Sequence, residues 1–121
     1  MLTAFSQDQT YIGKAAELRS IYSSPQPVGD FNYADVTLVT KVLFAIGGSS
    51  PQLVALAQGS NDGVTWFDYA LSLTATGETI YQSGGYVTAV FLRFKYTLSS
   101  TGSGDNWEGV TFDLHVNLTR K

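Results

Sequence analysis

The chain has 121 residues, seven Lys and Arg against ten Asp and Glu, and a formal net charge of −3. That length fits one domain, residues 1–121, with enough chain to bury a core. The acidic balance and scattered cations argue against nucleic acid and against an anionic membrane surface, which both attract clustered Lys and Arg.

There are no cysteines, which excludes disulfides, thiolate metal sites and a Cys nucleophile. The opening Met-Leu-Thr-Ala-Phe-Ser-Gln-Asp carries no basic region and no apolar run, so it does not read as a signal peptide. The expectation is synthesis in a host cytoplasm. No apolar run reaches 18 residues, so no membrane-spanning helix is expected. Charged residues make up only 14%, against about 25% in an average domain. Such a surface is covered by neutral polar groups or by a partner.

In chain order, Leu2, Ala4 and Phe5 suggest an edge strand that Gly13 breaks. Lys14 to Tyr22 carries helix formers but also alternates, and the β context favours a strand. Pro25-Gln-Pro27-Val-Gly29-Asp30 predicts a loop, because prolines remove ladder donors. Val36 to Ile46 is a long apolar strand. Val36, Leu38, Val42, Phe44 and Ile46 share one parity, with Val39 and Leu43 on the other. Gly47-Gly-Ser-Ser-Pro51 is expected to end it.

The next stretch organises the rest: Leu53 to Ala57, then Ser60-Asn61-Asp62-Gly63, then Trp66 to Leu73. Asp-Gly between apolar runs signals a hairpin, and Gly63 suits φ > 0. Trp66 is expected to anchor that hairpin in the core, as Trp107 anchors the start of the last strand. A turn follows at Thr74 to Glu78, a short strand at Glu78 to Gln82, and another turn at Gln82 to Gly85. Tyr86 to Leu98 is a strand with Val87, Ala89 and Phe91 opposite its main apolar set. Ser99 to Asn106 reads as a loop. Val110, Phe112, Leu114, Val116 and Leu118 then alternate with polar residues, which predicts one buried and one wet face. The whole is an all-β chain: an antiparallel β-sandwich or jelly roll.

No catalytic pattern emerges. His115 is the sole histidine, on a polar strand face, and no Gly-x-Ser-x-Gly elbow accompanies it. A zinc site needs more His or Cys than the chain has. The groups Asp30, Asn32 and Asp35, Asn61 and Asp62, and Asp105 and Asn106 do not match a calcium loop, and turn chemistry accounts for them. Tyr69, Tyr81 and Trp107 flank loops, where rings either stack on sugars or staple strands. No cofactor, metal or enzyme activity is expected.

The run Gln58-Gly-Ser-Asn-Asp-Gly63-Val-Thr-Trp66 resembles the GSNDGxxW hairpin of discoidin-like (coagulation factor type C) domains. Phe91-Leu-Arg-Phe-Lys95 is similar to the strand that follows it there, and Phe112 to Leu118 to the closing strand. Related hairpins also occur in small β-sandwich proteins of tailed-phage capsids and tails. The discoidin family is longer, usually secreted and commonly carries a terminal Cys pair, so this short, Cys-free chain resembles the phage type more. That resemblance implies a non-enzymatic virion protein, a capsid decoration (cement) or tail component. Its partners would be itself and the major capsid or another virion protein. The alternative is a carbohydrate-binding module using Asn61 and Asp62 as a ligand loop. Outward apolar residues on two strands need a cover. Val39, Leu43, Val87 and Phe91 are therefore the expected contacts of a homo-oligomer, with a trimer implied by three-fold positions in a capsid lattice.

Overall fold

A computed structural model describes residues 1–14 and 20–121, the backbone alone for 103–105. Among the described residues there are seven strands: β1 (Leu2–Lys14), β2 (Ser20–Tyr22), β3 (Gln26–Pro27), β4 (Tyr33–Ser60), β5 (Phe67–Ala75), β6 (Ile80–Tyr86) and β7 (Phe91–Thr119). All pairings are antiparallel. The all-β expectation holds. The middle of the Lys14 to Tyr22 segment, residues 15–19, lies outside the described residues, and the strand there is seen only at β2.

β4 and β7 are long enough to serve two layers each. In the first layer, β6 pairs with the first half of β4, which pairs with the second half of β7, which pairs with β1. In the second layer, β5 pairs with the second half of β4, which pairs with the first half of β7, which pairs with β2 and β3. The layers face each other. Tyr96 and Phe112 lie on one strand, yet their ring centroids are 4.7 Å apart across the core. Phe5 of the first layer meets Phe94 of the second edge-on at 5.1 Å. The Tyr96 hydroxyl shares a 2.8 Å hydrogen bond with Ser6 Oγ. Burial pushes the Tyr96 phenol up to about 12, so it stays a neutral hydrogen-bonding group.

Period-2 patterning builds this core as expected. Val110, Phe112, Leu114, Val116 and Leu118 all point inward and are buried, as are Leu92, Phe94, Tyr96 and Leu98 opposite them. Five punctuation signals mislead. Gly13 does not break β1, which stays paired with β7 through Lys14. Gly47 to Pro51 does not end β4 but bends it from one layer to the other, with Gly47 at φ 82° and Ser50 at φ 52°. Ser99 to Asn106 is likewise the bend of β7, paired with β4 through Gly102 and Gly48. Gly84 and Gly85 lie within β6. Gln26 and Pro27 pair with β7 after all, which an edge position permits because the proline nitrogen can face away from the ladder.

Candidate functional site

The parity of β4 changes within the strand. A register shift between Thr40 and Val42 opposite Phe112 and Thr111 marks a bulge, and a bulge reverses which side chains face the core. Before it, Val36, Leu38 and Thr40 point inward; after it, Leu43 does. Val42, Phe44 and Ile46 therefore turn outward. Three cross-strand rows gather there: Thr10, Thr111 and Val42; Ile12, Gly109 and Phe44; Lys14, Trp107 and Ile46. A Cβ on Gly109 would stand 2.3 Å from the Phe44 ring, so the glycine lets that ring lie across β7 toward Ile12. Ile46 is 64% exposed and Trp107 45%. Lys14 Nζ hangs 5.5 Å from the Trp107 ring centroid. Ile12, Val42, Phe44, Ile46 and Trp107 thus share one half of the outer face of the first layer as an apolar patch, edged by Thr10, Thr111 and Lys14.

The other half is polar. Asp113 Oδ1 accepts the Asp8 N–H at 2.6 Å, and Lys41 Nζ stands 3.0 Å from Asp113 Oδ2. Lys41 also pairs with Asp8. Asp8 adopts φ 48° at a break in the β1 register, and the hydrogen bond its N–H donates to Asp113 fixes that turn. The amide of Asp8 holds the Asp113 carboxyl below its ordinary range, and the bond that Lys41 donates to the Asp8 carboxylate raises the Lys41 ammonium. His115 sits half-buried on this same face, as a polar sheet-face histidine. Among the described residues, no group of three or more His, Cys, Asp or Glu is arranged to hold a metal ion.

The expected oligomer contacts need correction. Leu43 is 8% exposed and Val87 1%, and both belong to the chain's own core. The bulge turns Leu43 inward. Val87 opens an irregular stretch, residues 87–90, that resets the phase before β7 begins at Phe91. Val39 and Phe91 are half-buried. The exposed apolar residues instead include Ile12, Val42, Ile46 and Trp107.

Both tryptophan anchors also need correction. Trp107 lies on the outer face rather than in the core. Trp66 is half-buried, with its ring centroid 4.1 Å from the Arg93 guanidinium carbon. The hairpin loop is longer than a two-residue turn: β4 ends at Ser60 and β5 starts at Phe67. Trp66 therefore folds over the outer face of the second layer. Loss of a cation–π contact and part of a ring is worth about 1–2 kcal/mol. Trp66→Ala is expected to lower the denaturation free energy by that amount, well short of a core aromatic, in urea titrations.

Within the loop, Gly63 takes φ 78° as expected. Asp62 Oδ1 accepts N–H bonds from Val64 at 2.8 Å and Thr65 at 2.7 Å and the Ser60 hydroxyl at 2.9 Å. Asn61 Oδ1 accepts the Val90 N–H at 3.1 Å. The Asp62 carboxyl holds the loop itself together, and Asn61 ties it to the stretch before β7. The Thr65 amide, then that of Val64, holds the Asp62 carboxyl down to about 2. A carboxyl lower in the folded state stabilises above its unfolded value and loses that contribution as pH falls through its folded value. Asp62 is expected to titrate near 2 by carboxyl carbon NMR, with the Val64 and Thr65 amides losing protection between about pH 4 and 2.

No protein-family model matches the chain, and no curated protein sequence matches it significantly. Solved structures do match. The crystal structure of PBSX exported protein XepA aligns over 100% of this chain and 37% of its own, with TM-score 0.64 and 11% identity. The infectious bursal disease virus VP2 subviral particle aligns over 98% of this chain and 32% of its own, with TM-score 0.60 and 7% identity. The structure of infectious bursal disease virus Gx strain aligns with TM-score 0.52 and 12% identity, over 96% of this chain and 31% of its own. The chain spans about a third of each of these proteins. At such identities the likeness is one of fold: a jelly-roll type sandwich.

Proposed function

We propose that this chain is a non-enzymatic structural protein of a virus particle, a capsid decoration or tail component of a tailed bacteriophage. It acts as a symmetric homo-oligomer that contacts the major capsid or another virion protein. The observation that carries this reading is the apolar half-face of Ile12, Val42, Phe44, Ile46 and Trp107. Its rim is polar on the Lys41 and Asp113 side, the layout of an interface core and rim. The fold shared with a subviral-particle protein supports the same reading. The trimer is proposed from the three-fold positions of capsid lattices, and closed cyclic assemblies bury such surfaces readily. The carbohydrate alternative has less support, because the Asp62 acceptor is engaged by the Val64 and Thr65 amides of its own loop and the Asn61 acceptor by the Val90 amide.

Light scattering coupled to size exclusion tests the reading. At tens of micromolar the expected mass is a multiple of 13.1 kDa, three-fold for the trimer. Each interface should bury about 1,200–2,000 Å² in total. A monomer, alone and with virus particles present, would refute it.

A further inference from the structure

The outer face of the second layer holds a cationic site that the apolar half-face does not explain. Asp68, Gln58 and Arg93 occupy one row across β5, β4 and β7. Gln58 Nε2 donates to Asp68 Oδ1 at 2.8 Å, and Arg93 Nε donates to Gln58 Oε1 at 2.9 Å. Trp66 reaches the guanidinium from the β5 side and Tyr22 from the β2 side, with ring centroids 4.1 and 4.2 Å from its central carbon. The planar group is thus fixed by two rings and one hydrogen bond. Among the described residues the ion pairs are those of Lys41 with Asp8 and Asp113; Arg93 joins none, and its two terminal nitrogens donate no hydrogen bond. Those nitrogens form a fork that matches a carboxylate. Lys95 lies one row further along the same face, so two cations stand here on an acidic chain, with the carboxylate of the row, Asp68, bound to Gln58.

We infer that Arg93 is a preorganised receptor for an acidic side chain of a partner protein. The site is on a sheet face, and the depression lined by Asn61, Asp62, Thr65 and Phe67 lies on the loop beside it and not over Arg93. Small molecules favour concave sites. Arg, Trp and Tyr clustered on a face are the residues that dominate protein interfaces. The inference deepens the assembly reading by naming one contact chemistry, and it stands or fails on Arg93 alone, independently of self-association.

The test is titration of the full chain with capped hexaglutamate at low salt, since exposed charges are screened over about 10 Å at 0.1 M. Arg93 side-chain nitrogen shifts and calorimetry are the readouts. The expected result is a saturable Arg93 shift, none with hexaglutamine, and binding about tenfold weaker in Arg93→Lys, which keeps the charge but loses the fork. No shift in the wild type overturns the inference, a result that needs no variant to fold. Equal binding of hexaglutamine or by Arg93→Lys overturns it too. Tighter binding of hexagalacturonate than of hexaglutamate would overturn the protein partner in favour of an acidic saccharide.

Discussion

Phe112→Ala is expected to destabilise the chain by about 3–5 kcal/mol, the range for a core aromatic truncated to alanine. Phe112 has no exposed surface and packs edge-on against Tyr96 at 4.7 Å. It stands where the two halves of β7 fold over each other, so its ring fills the gap between layers. Removing it also strips the apolar wall from Tyr96, whose hydroxyl is already committed to Ser6. Neither layer can shift inward without breaking the β1–β7 and β4–β7 ladders on either side of Phe112. Urea denaturation should show a lower midpoint at unchanged slope. A loss below about 1 kcal/mol would mean that the layers do not meet at this ring.

Gly48→Val should cost about 2–3 kcal/mol through overpacking. A Cβ there would stand 2.7 Å from the Thr101 carbonyl oxygen and 2.4 Å from Asn106 Nδ2. The first is backbone and cannot rotate away. The second belongs to a buried amide that donates to Ser100 Oγ at 2.7 Å. Gly48 pairs with Gly102 where β4 and β7 both bend between layers, so a side chain there pushes the two bends apart. The expected result is a lower thermal midpoint and loss of amide protection centred on residues 46–49 and 100–102. A variant as stable as the wild type would show that the bends tolerate separation.

These two positions also show what the sequence carries and what it hides. The final strand was legible because Val110 to Leu118 alternates without interruption, and its inward set is the core. β4 was legible as an apolar strand but not in phase, since a bulge at Thr40 to Val42 leaves no mark on composition. Val42 and Ile46 consequently exchange places with Leu43. The bends at Gly47 to Pro51 and Ser99 to Asn106 carry residues that elsewhere end strands, and only the pairing between them keeps both strands continuous. Parity places Val87 outward, because the irregular stretch before Phe91 leaves no mark on the alternation.

The candidate surfaces were less legible still. Trp66 was expected inside, because a large ring beside a hairpin usually enters the core. The six residues of loop, 61–66, carry it to the other side of the sheet, where Arg93 receives it. Nothing local in Phe91-Leu-Arg-Phe-Lys95 announces that the arginine meets rings from two distant segments. Asn106 and Glu108 are buried polar residues that precede the clear alternation of the last strand, and their inward phase follows from it once β7 is known to be continuous.

The apolar half-face as an assembly surface is tested most directly by Ile46→Glu. Ile46 projects into solvent, so a charge there leaves the core untouched but places like charges in any interface that buries it. Light scattering of wild type and variant side by side, at equal concentration, should give an assembled wild type and a variant of 13.1 kDa with an unchanged thermal midpoint for the monomer fold. A variant that retains the wild-type assembled mass would contradict the account.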